Sequence, residues 1–354
     1  AAPIGETIAQ TNKVPAEVVA RRLANKKAKQ QNPTAAAKKA KATGVQLYGY
    51  VLQSDERDPG LYKFTSNNAA SISLVSDNVH CYNAATYVHG TYLSSWFEEN
   101  DTQVKFPIHF YEYDTSTWQM KIDKPSPELA YSAISMDLTF DPETQQVYGL
   151  FSDDDYSGQY KTLGKLVTTY WGENDYTSNS ETIGELPESM VAITCNRNGD
   201  LYTIGRSGKL YAVNKYSGAA KVLGETGYEP FKLFQSATCD YSTGKIYWAM
   251  LDKDYWATRI IEIDPTTGKG TEVCNFIDNY ANDQITGLYI KQDLTLKTVP
   301  QTVSNLSVDL TGLTSGTVKF TMPTKDVKDA ALSGSLKYTV RLNGVVAKTG
   351  TAAA

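Results

Sequence analysis

The feature that most constrains the fold is a unit of four short strands, which residues 236–276 show most completely. Its strands are rich in Ile, Tyr, Trp and Val, and its turns, such as residues 241–245 and 264–268, are rich in Gly, Pro, Asp, Ser and Thr. One small antiparallel sheet of this kind cannot bury both of its faces alone. The unit therefore needs neighbours of the same kind.

The unit recurs along the chain. The first strand ends in Thr238-Cys239-Asp240, and the same pattern returns as Thr194-Cys195-Asn196 and Thr139-Phe140-Asp141. A tyrosine near the start of the second strand recurs at five positions, which are Tyr48, Tyr92, Tyr148, Tyr202 and Tyr247. Their spacing of roughly 45 to 55 residues is typical of the blades of a β-propeller. The β-branched and aromatic composition excludes a helical solenoid.

The ends of the repeat region indicate how a ring would close. The first unit begins at its second strand, residues 47–51, whereas residues 284–290 form a strand with no sheet of its own. We therefore expect residues 284–290 to complete the first unit, which leaves only short protected edges. The sequence predicts an all-β chain with a five-bladed propeller over residues 44–293. Six blades are the alternative, if residues 79–127 merge two units.

The segment before the propeller, residues 1–43, differs in kind. It holds nine Lys or Arg and two Glu. Pro15 suits the first turn of a helix, so we expect a helix over about residues 16–30 and then a linker. No aromatic residue is present to stack on bases and the apolar stripe is thin, so we expect a solvated spacer and no nucleic-acid partner.

Two features of the sequence bear on membrane insertion and export. No apolar run is long enough to span a bilayer, so we expect no transmembrane segment. The chain has no secretory hydrophobic region and does not begin with Met, and we therefore expect a processed or trimmed form.

Residues 300–354 form a second region with its own pattern. It contains Pro300, Val303, Pro323 and the pair Asn343-Gly344, together with the short runs 305–308, 318–320 and 336–340. With these residues the region resembles the fibronectin type III family. It covers about half of a sandwich of roughly 100 residues, so a partial domain is expected. A propeller followed by such a module resembles secreted modular proteins of bacterial surfaces. That resemblance implies a secreted, periplasmic or cell-surface location.

Cysteines and acidic residues give only weak indications of a cofactor. Cys195 and Cys239 occupy equivalent positions of neighbouring units, where small buried free thiols fit. No cysteine spacing resembles a zinc site. Asp153 and Asp155 are weak Ca²⁺ candidates, because consecutive acids do not match an EF-hand loop. We therefore expect no cofactor.

The candidate binding surface is one face of the ring. Strands alternate in direction, so the loops between strands two and three share a face with the loops between blades. These loops are long, acidic and aromatic, and binding residues concentrate on such loops. Tyrosine, with 24 residues against 10 Phe, offers large rigid contacts. The candidate ligand-binding residues are Tyr156, Tyr228, Tyr255, Trp256, Tyr280, Glu128, Glu188, Glu229 and Asp283.

Three functions fit this pattern. The first is a non-catalytic secreted or cell-surface protein that binds carbohydrate or protein through this face. The second is a glycoside hydrolase-like propeller enzyme, which needs two facing carboxylates; Asp137 and Asp240 are available besides the acids named above. The third is a structural component of a surface assembly. No nucleophile triad or nucleotide-binding glycine loop is present, so no catalytic residue is assigned and an enzyme is the less favoured hypothesis.

Overall fold

A computed structural model describes residues 14–31, 44–81, 84–97, 108–126, 135–151, 160–167, 179–231, 235–277, 281–292, 300–312, 315–326, 329–342 and 345–354. The chain divides into two compact units, Ala1–Gln292 and Asp293–Ala354. Within the described ranges, no helical segment combines the length and the apolar character needed to cross a bilayer.

The first unit contains a helix and five four-stranded antiparallel sheets. The helix is α1 (Ala16–Gln31). The first sheet contains β1 (Gln46–Gln53), β2 (Gly60–Thr65) and β3 (Asn68–Ser76). The second contains β4 (Ala85–Val88), β5 (Thr91–Phe97), β6 (Ile108–Asp114) and β7 (Met120–Ser126). The third contains β8 (Ser135–Asp141), β9 (Gln146–Phe151), β10 (Thr162–Val167) and β11 (Asn179–Glu185).

The remaining two sheets repeat the pattern. The fourth contains β12 (Met190–Cys195), β13 (Leu201–Gly205), β14 (Lys209–Val213) and β15 (Ala220–Glu225). The fifth contains β16 (Ser236–Cys239), β17 (Ile246–Leu251), β18 (Thr258–Ile263) and β19 (Gly270–Asn275). The next strand along the chain is β20 (Gln284–Tyr289).

The five sheets form a five-bladed propeller. Strand β20 pairs with β1 and is the innermost strand of the first sheet, with Val51 opposite Ile285 and Gln53 opposite Gln284. The innermost strands β20, β4, β8, β12 and β16 lie side by side around the centre. The predicted all-β class, the five blades and the short helix are confirmed.

The core lies between neighbouring sheets, so strands near the centre are buried on both faces. All residues of β8, β12, β17 and β20 are buried. Much of the tyrosine surplus packs between the first and second sheets, where Tyr289 stacks on Tyr48 at 4.9 Å and on Tyr87 at 5.5 Å between ring centroids. None of the four cysteines forms a disulfide, and Cys195 and Cys239 are buried as expected.

One buried acid in the second sheet is a source of pH dependence. Glu112 on β6 is 4% exposed, and its Oε1 has no hydrogen-bond partner within the described part of the chain. Burial raises the pKa of Glu112 from 4.5 to about 7, although the charge of Lys121 opposes this. Between pH 4.5 and about 7, Glu112 therefore keeps its proton in the folded protein and loses it in the unfolded chain.

Replacing Glu112 with glutamine is expected to raise the free energy of unfolding by about 2 kcal/mol at about pH 8 and to change it little at about pH 4. The folded-state pKa of Glu112 exceeds its ordinary value, so the wild type loses stability as pH rises from 4.5 to about 7. The Glu112→Gln variant does not. Urea unfolding at both pH values measures the difference, and an equal effect at both would contradict the prediction.

In the described part of residues 293–354, the second unit contains two hairpins. One pairs β21 (Ser304–Leu310) with β22 (Gly316–Thr321), and the other pairs β23 (Ser335–Leu342) with β24 (Val345–Ala353). The rings of Phe320 and Tyr338 lie edge to face at 5.4 Å. Leu306 and Val308 are mostly exposed. The hairpins do not establish a fibronectin type III domain, which stays a prediction.

Candidate binding site at the seam of the propeller

The predicted site residues fall into two groups. Tyr156, Tyr280, Glu128, Asp153 and Asp155 lie outside the described residues. Of the others, Glu188 precedes β12, Tyr228 and Glu229 lie between the fourth and fifth sheets, Tyr255 and Trp256 lie between β17 and β18, and Asp283 precedes β20 at the junction of the fifth and first sheets.

The loop between β17 and β18 is shaped by Asp252. Its Oδ1 accepts hydrogen bonds from the backbone N–H groups of Asp254 and Tyr255, both at 2.9 Å. Its Oδ2 accepts one from Nε of Arg259 at 2.8 Å. Trp256, with a φ of +49°, donates its N–H to the Asp252 carbonyl at 2.9 Å. These bonds fix the carbonyl oxygens of Tyr255 and Trp256 in place.

The loop between β1 and β2 is tied to the segment that leads into β20. The N–H of Asp55 donates to the Ala281 carbonyl at 2.7 Å. Nδ2 of Asn282 donates to Oδ2 of Asp55 at 2.7 Å. Ser54 Oγ accepts the N–H groups of Glu56 and Arg57, both at 3.1 Å. The Asp55 carboxylate is therefore held beside the loop of the fifth sheet.

Asp283, directly before β20, also holds the loop between β1 and β2. Its side chain is fully buried, and its two oxygens accept hydrogen bonds from Nη1 of Arg57 at 3.0 and 2.7 Å. Its backbone carbonyl accepts the N–H of Thr258 at 2.8 Å. Burial raises the pKa of Asp283, and the Arg57 charge opposes the shift. Its carboxylate is used inside the protein, in an ion pair that joins the first sheet to the strand entering it.

A guanidinium lies between these two loops. Arg22 of α1 donates from Nε to the Tyr255 carbonyl at 2.7 Å, from Nη2 to the Trp256 carbonyl at 2.9 Å and from Nη1 to Oδ1 of Asp55 at 2.8 Å. Arg22 is 7% exposed. We call the four residues Asp55, Tyr255, Trp256 and Asn282 the seam site, because they join the last sheet of the ring to the first.

Two other basic side chains of α1 also form ion pairs with acids of the two loops. Arg21 pairs with Asp254 at 3.0 Å, and Lys26 lies 3.4 Å from a carboxylate oxygen of Glu56. By contrast, Val19 and Leu23 are 43% and 54% exposed. The expected helix is confirmed. Most of residues 16–28 are exposed, as expected for a solvated spacer, but Val18 and Arg22 are buried and Arg22 is bonded to the propeller loops. The acidic loops attract the basic helix through contacts between residues 30 to 234 positions apart, which local patterns do not reveal.

Three predicted side chains have local partners. Glu188 accepts hydrogen bonds from Ser207 Oγ and Tyr211 OH, both at 2.5 Å. The hydroxyl of Tyr228 accepts the N–H of Glu272 at 2.8 Å. Glu229 is exposed and pairs with Lys253 at 2.6 Å, which lowers the pKa of Glu229.

The two predicted aromatic residues of the β17–β18 loop do belong to the seam site. They take part through backbone carbonyls, which carry no sequence signal. The Trp256 ring lies 4.9 Å from that of Phe231, and both residues are partly buried. Asp55, Asn282 and Arg22 were not predicted, and the available signal was the pairing of a basic segment with acidic loops.

The acids considered for catalysis do not face each other across a cleft in the described structure. Asp137 is fully buried and accepts hydrogen bonds from Ile193 N, Ala237 N and Ser236 Oγ. Asp240 caps its own turn through the hydroxyl of Thr243 at 2.7 Å. Among the described residues, no group of three or more His, Cys, Asp or Glu side chains is placed to hold a metal ion.

No protein-family model and no curated protein matches the sequence. A structure of a protein of unknown function from Bacteroides thetaiotaomicron shares 10% identity, covering 64% of this chain and 50% of its own, with a TM-score of 0.36. TolB from Acinetobacter baumannii shares 10% identity, covering 78% of this chain and 73% of its own, with a TM-score of 0.40. An exo-beta-1,3-galactanase from Clostridium thermocellum shares 12% identity, covering 59% and 50%, with a TM-score of 0.37. The chain therefore spans about half the length of the first and third of these proteins, and likeness at this level says nothing about activity.

Proposed function

We propose that the protein is a non-catalytic binding protein whose propeller holds a protein ligand on the acidic loop face, at the seam of the fifth and first sheets. One observation carries the proposal: two loops of different sheets converge on a buried guanidinium and give it three acceptors. Such a constellation is typical of recognition sites for arginine in proteins.

The surroundings of the seam site favour a basic ligand. Glu56 and Asp254 pair with the basic side chains Lys26 and Arg21 of α1, and Glu229 pairs with Lys253. The side chains of the three acids are 47%, 58% and 74% exposed on neighbouring loops. Acids grouped around one site attract positively charged partners and speed their association. Carbohydrate is the alternative ligand, but a sugar has no planar fork of N–H donors to match the three acceptors. We therefore rank a protein ligand first.

The other functions have less support. A glycoside hydrolase needs two free carboxylates that face a sugar, whereas Asp137, Asp240 and Glu188 are all bound to neighbouring groups. A structural component of an assembly would use the same face. It would differ from a binding protein in that its contact with the partner is permanent. We further propose a secreted, periplasmic or cell-surface location, which the resemblance of residues 300–354 to fibronectin type III modules supports.

A photo-crosslinking residue at position 229 of the full chain tests the proposal. Glu229 lies on the loop face, and its exposed side chain makes the substitution mild. Thr266, in the turn between β18 and β19, is the matched control because it is exposed at the opposite ends of the strands. With surface extracts of the source cells, we expect a discrete protein adduct from position 229 alone. A glycan adduct, equal adducts from both positions, or no adduct would contradict the proposed protein ligand.

A further inference from the structure

We propose that the seam site is a receptor for an arginine side chain and that α1 is a detachable strap that occupies it. A partner protein that presents an arginine on a basic helix then binds the same acceptors in place of Arg22. This inference rests on the proposed function, since it names the chemistry of the ligand and the element that controls access to the site.

The acceptors are fixed without help from α1. Asp252 uses both carboxylate oxygens to shape the loop that carries Tyr255 and Trp256. Asn282 holds the Asp55 carboxylate from the other side. Trp256 and Asn282 both have a φ of +49°, a left-handed backbone that costs a non-glycine residue about 1 kcal/mol or more. Strain of this kind persists where the surrounding structure holds it, and here it lies at both sides of the guanidinium.

The strap itself is weakly held. Of the apolar side chains of α1 whose burial is described, Val18 is buried, whereas Val19 and Leu23 are largely exposed. The ion pairs of Arg21 and Lys26 are solvent-exposed, and such pairs contribute about 0–1 kcal/mol each. A helix of this length is only marginally stable when it is not packed. Arg22 is therefore the main anchor, and α1 is expected to open before the sheets do.

The geometry selects arginine over lysine. Nε, Nη1 and Nη2 of Arg22 each reach a different acceptor, at 2.7, 2.8 and 2.9 Å. A lysine ammonium is a single point from which these three directions cannot be reproduced. The same geometry explains why a guanidinium can bridge two sheets, because two acceptors belong to the fifth sheet and one to the first.

The test uses the full chain and a fluorescently labelled peptide of residues 14–31 as the probe. In the wild type, α1 occupies the site, so the peptide is expected to bind poorly. In an Arg22→Ala chain the site is free, and the peptide is expected to bind about ten- to a hundredfold more tightly, as expected for the loss of charge-assisted hydrogen bonds in the competing strap. An Arg21→Ala chain is the matched control and should stay within about fivefold of the wild type.

Two further substitutions test the chemistry. A peptide with Arg22→Lys should bind the Arg22→Ala chain about tenfold more weakly or worse. Adding Asp55→Asn to the Arg22→Ala chain should also weaken binding of the unmodified peptide. Adding Asp58→Asn should not, because Asp58 is exposed and its side chain makes no bond with residues 16–28 of α1. Equal binding of the arginine and lysine peptides would overturn the assignment of an arginine receptor.

Hydrogen exchange of the wild type tests the strap independently of any variant. Amides of α1 are expected to exchange faster than those of β12 and β17, which are buried throughout. Equal protection, or equal peptide binding by the wild-type and Arg22→Ala chains, would overturn the detachable strap. Peptide binding without a protein adduct at position 229 would leave the receptor standing and contradict the proposed function. A protein adduct at position 229, combined with peptide binding that Arg22→Ala leaves unchanged, would support the proposed function and contradict the arginine receptor with its detachable strap.

Discussion

Replacing Asp137 with alanine is expected to lower the free energy of unfolding by about 3–5 kcal/mol. Asp137 lies on β8, and its side chain is fully buried. Its Oδ2 accepts the N–H of Ile193 on β12 at 3.0 Å and that of Ala237 on β16 at 3.1 Å, while its Oδ1 accepts the hydroxyl of Ser236 at 2.8 Å. One carboxyl group thus satisfies donors from the innermost strands of two other sheets.

Removal of this carboxyl group leaves three donors without a partner where water does not reach them. The connection extends further, because Ser236 Oγ also accepts the N–H of Leu288 on β20 at 2.9 Å. Burial raises the pKa of Asp137, and the donated hydrogen bonds oppose that shift. Loss of the costly buried acid therefore offsets only part of the penalty. Urea unfolding followed by tryptophan fluorescence measures the change.

Asp137→Asn is the matched control. Its amide oxygen can accept both backbone N–H groups, and its amide nitrogen can donate to Ser236 Oγ, so we expect a loss of about 1 kcal/mol. A similar loss in both variants would show that the charge stabilises the centre more than the hydrogen bonds do. An alanine variant as stable as the wild type would contradict the proposed role altogether.

Local sequence patterns were sufficient to predict the propeller fold but not the seam site. Strand alternation, turn residues and the recurring tyrosines at positions 148, 202 and 247 are local signals repeated at one period, so the five blades could be predicted. The position of β20 could also be anticipated, because a strand without a sheet and a sheet without a strand occur in the same ring. These inferences depend on counting elements and on the general need to bury sheet faces.

The seam site could be predicted only in part. Tyr255 and Trp256 were predicted as site residues, but what meets Arg22 is their carbonyl groups, whose direction depends on Asp252 and on a left-handed backbone. Asp283 was predicted as a ligand-binding residue, but its carboxylate forms an ion pair with Arg57, which requires a contact across 226 positions. Acid-rich loops identify a charged surface, whereas partner choice on that surface depends on tertiary distances.

Replacing Gly268 with alanine is expected to lower the free energy of unfolding by about 2–4 kcal/mol. Gly268 ends the turn between β18 and β19 with a φ of +73°, and a Cβ placed there would lie 2.6 Å from Cα of Gly224 on β15. The neighbouring atoms are backbone, so they cannot rotate away. Gly218 and Gly184 make the same contact one blade earlier, with a Cβ–Cα distance of 2.9 Å. The glycines therefore allow an outer strand to pass close to the turn of the next blade.

Gly244→Ala separates the two causes. Gly244 has a similar φ of +75°, but no described atom lies within 4 Å of the position that its Cβ would take. That variant should lose only the cost of a left-handed alanine, about 1 kcal/mol. Urea unfolding of both variants measures the difference, which reports the close contact between blades alone. Equal losses in Gly268→Ala and Gly244→Ala would mean that the outer strand moves aside for the added methyl group at no cost. The close contact between blades would then make no contribution to the stability of the ring.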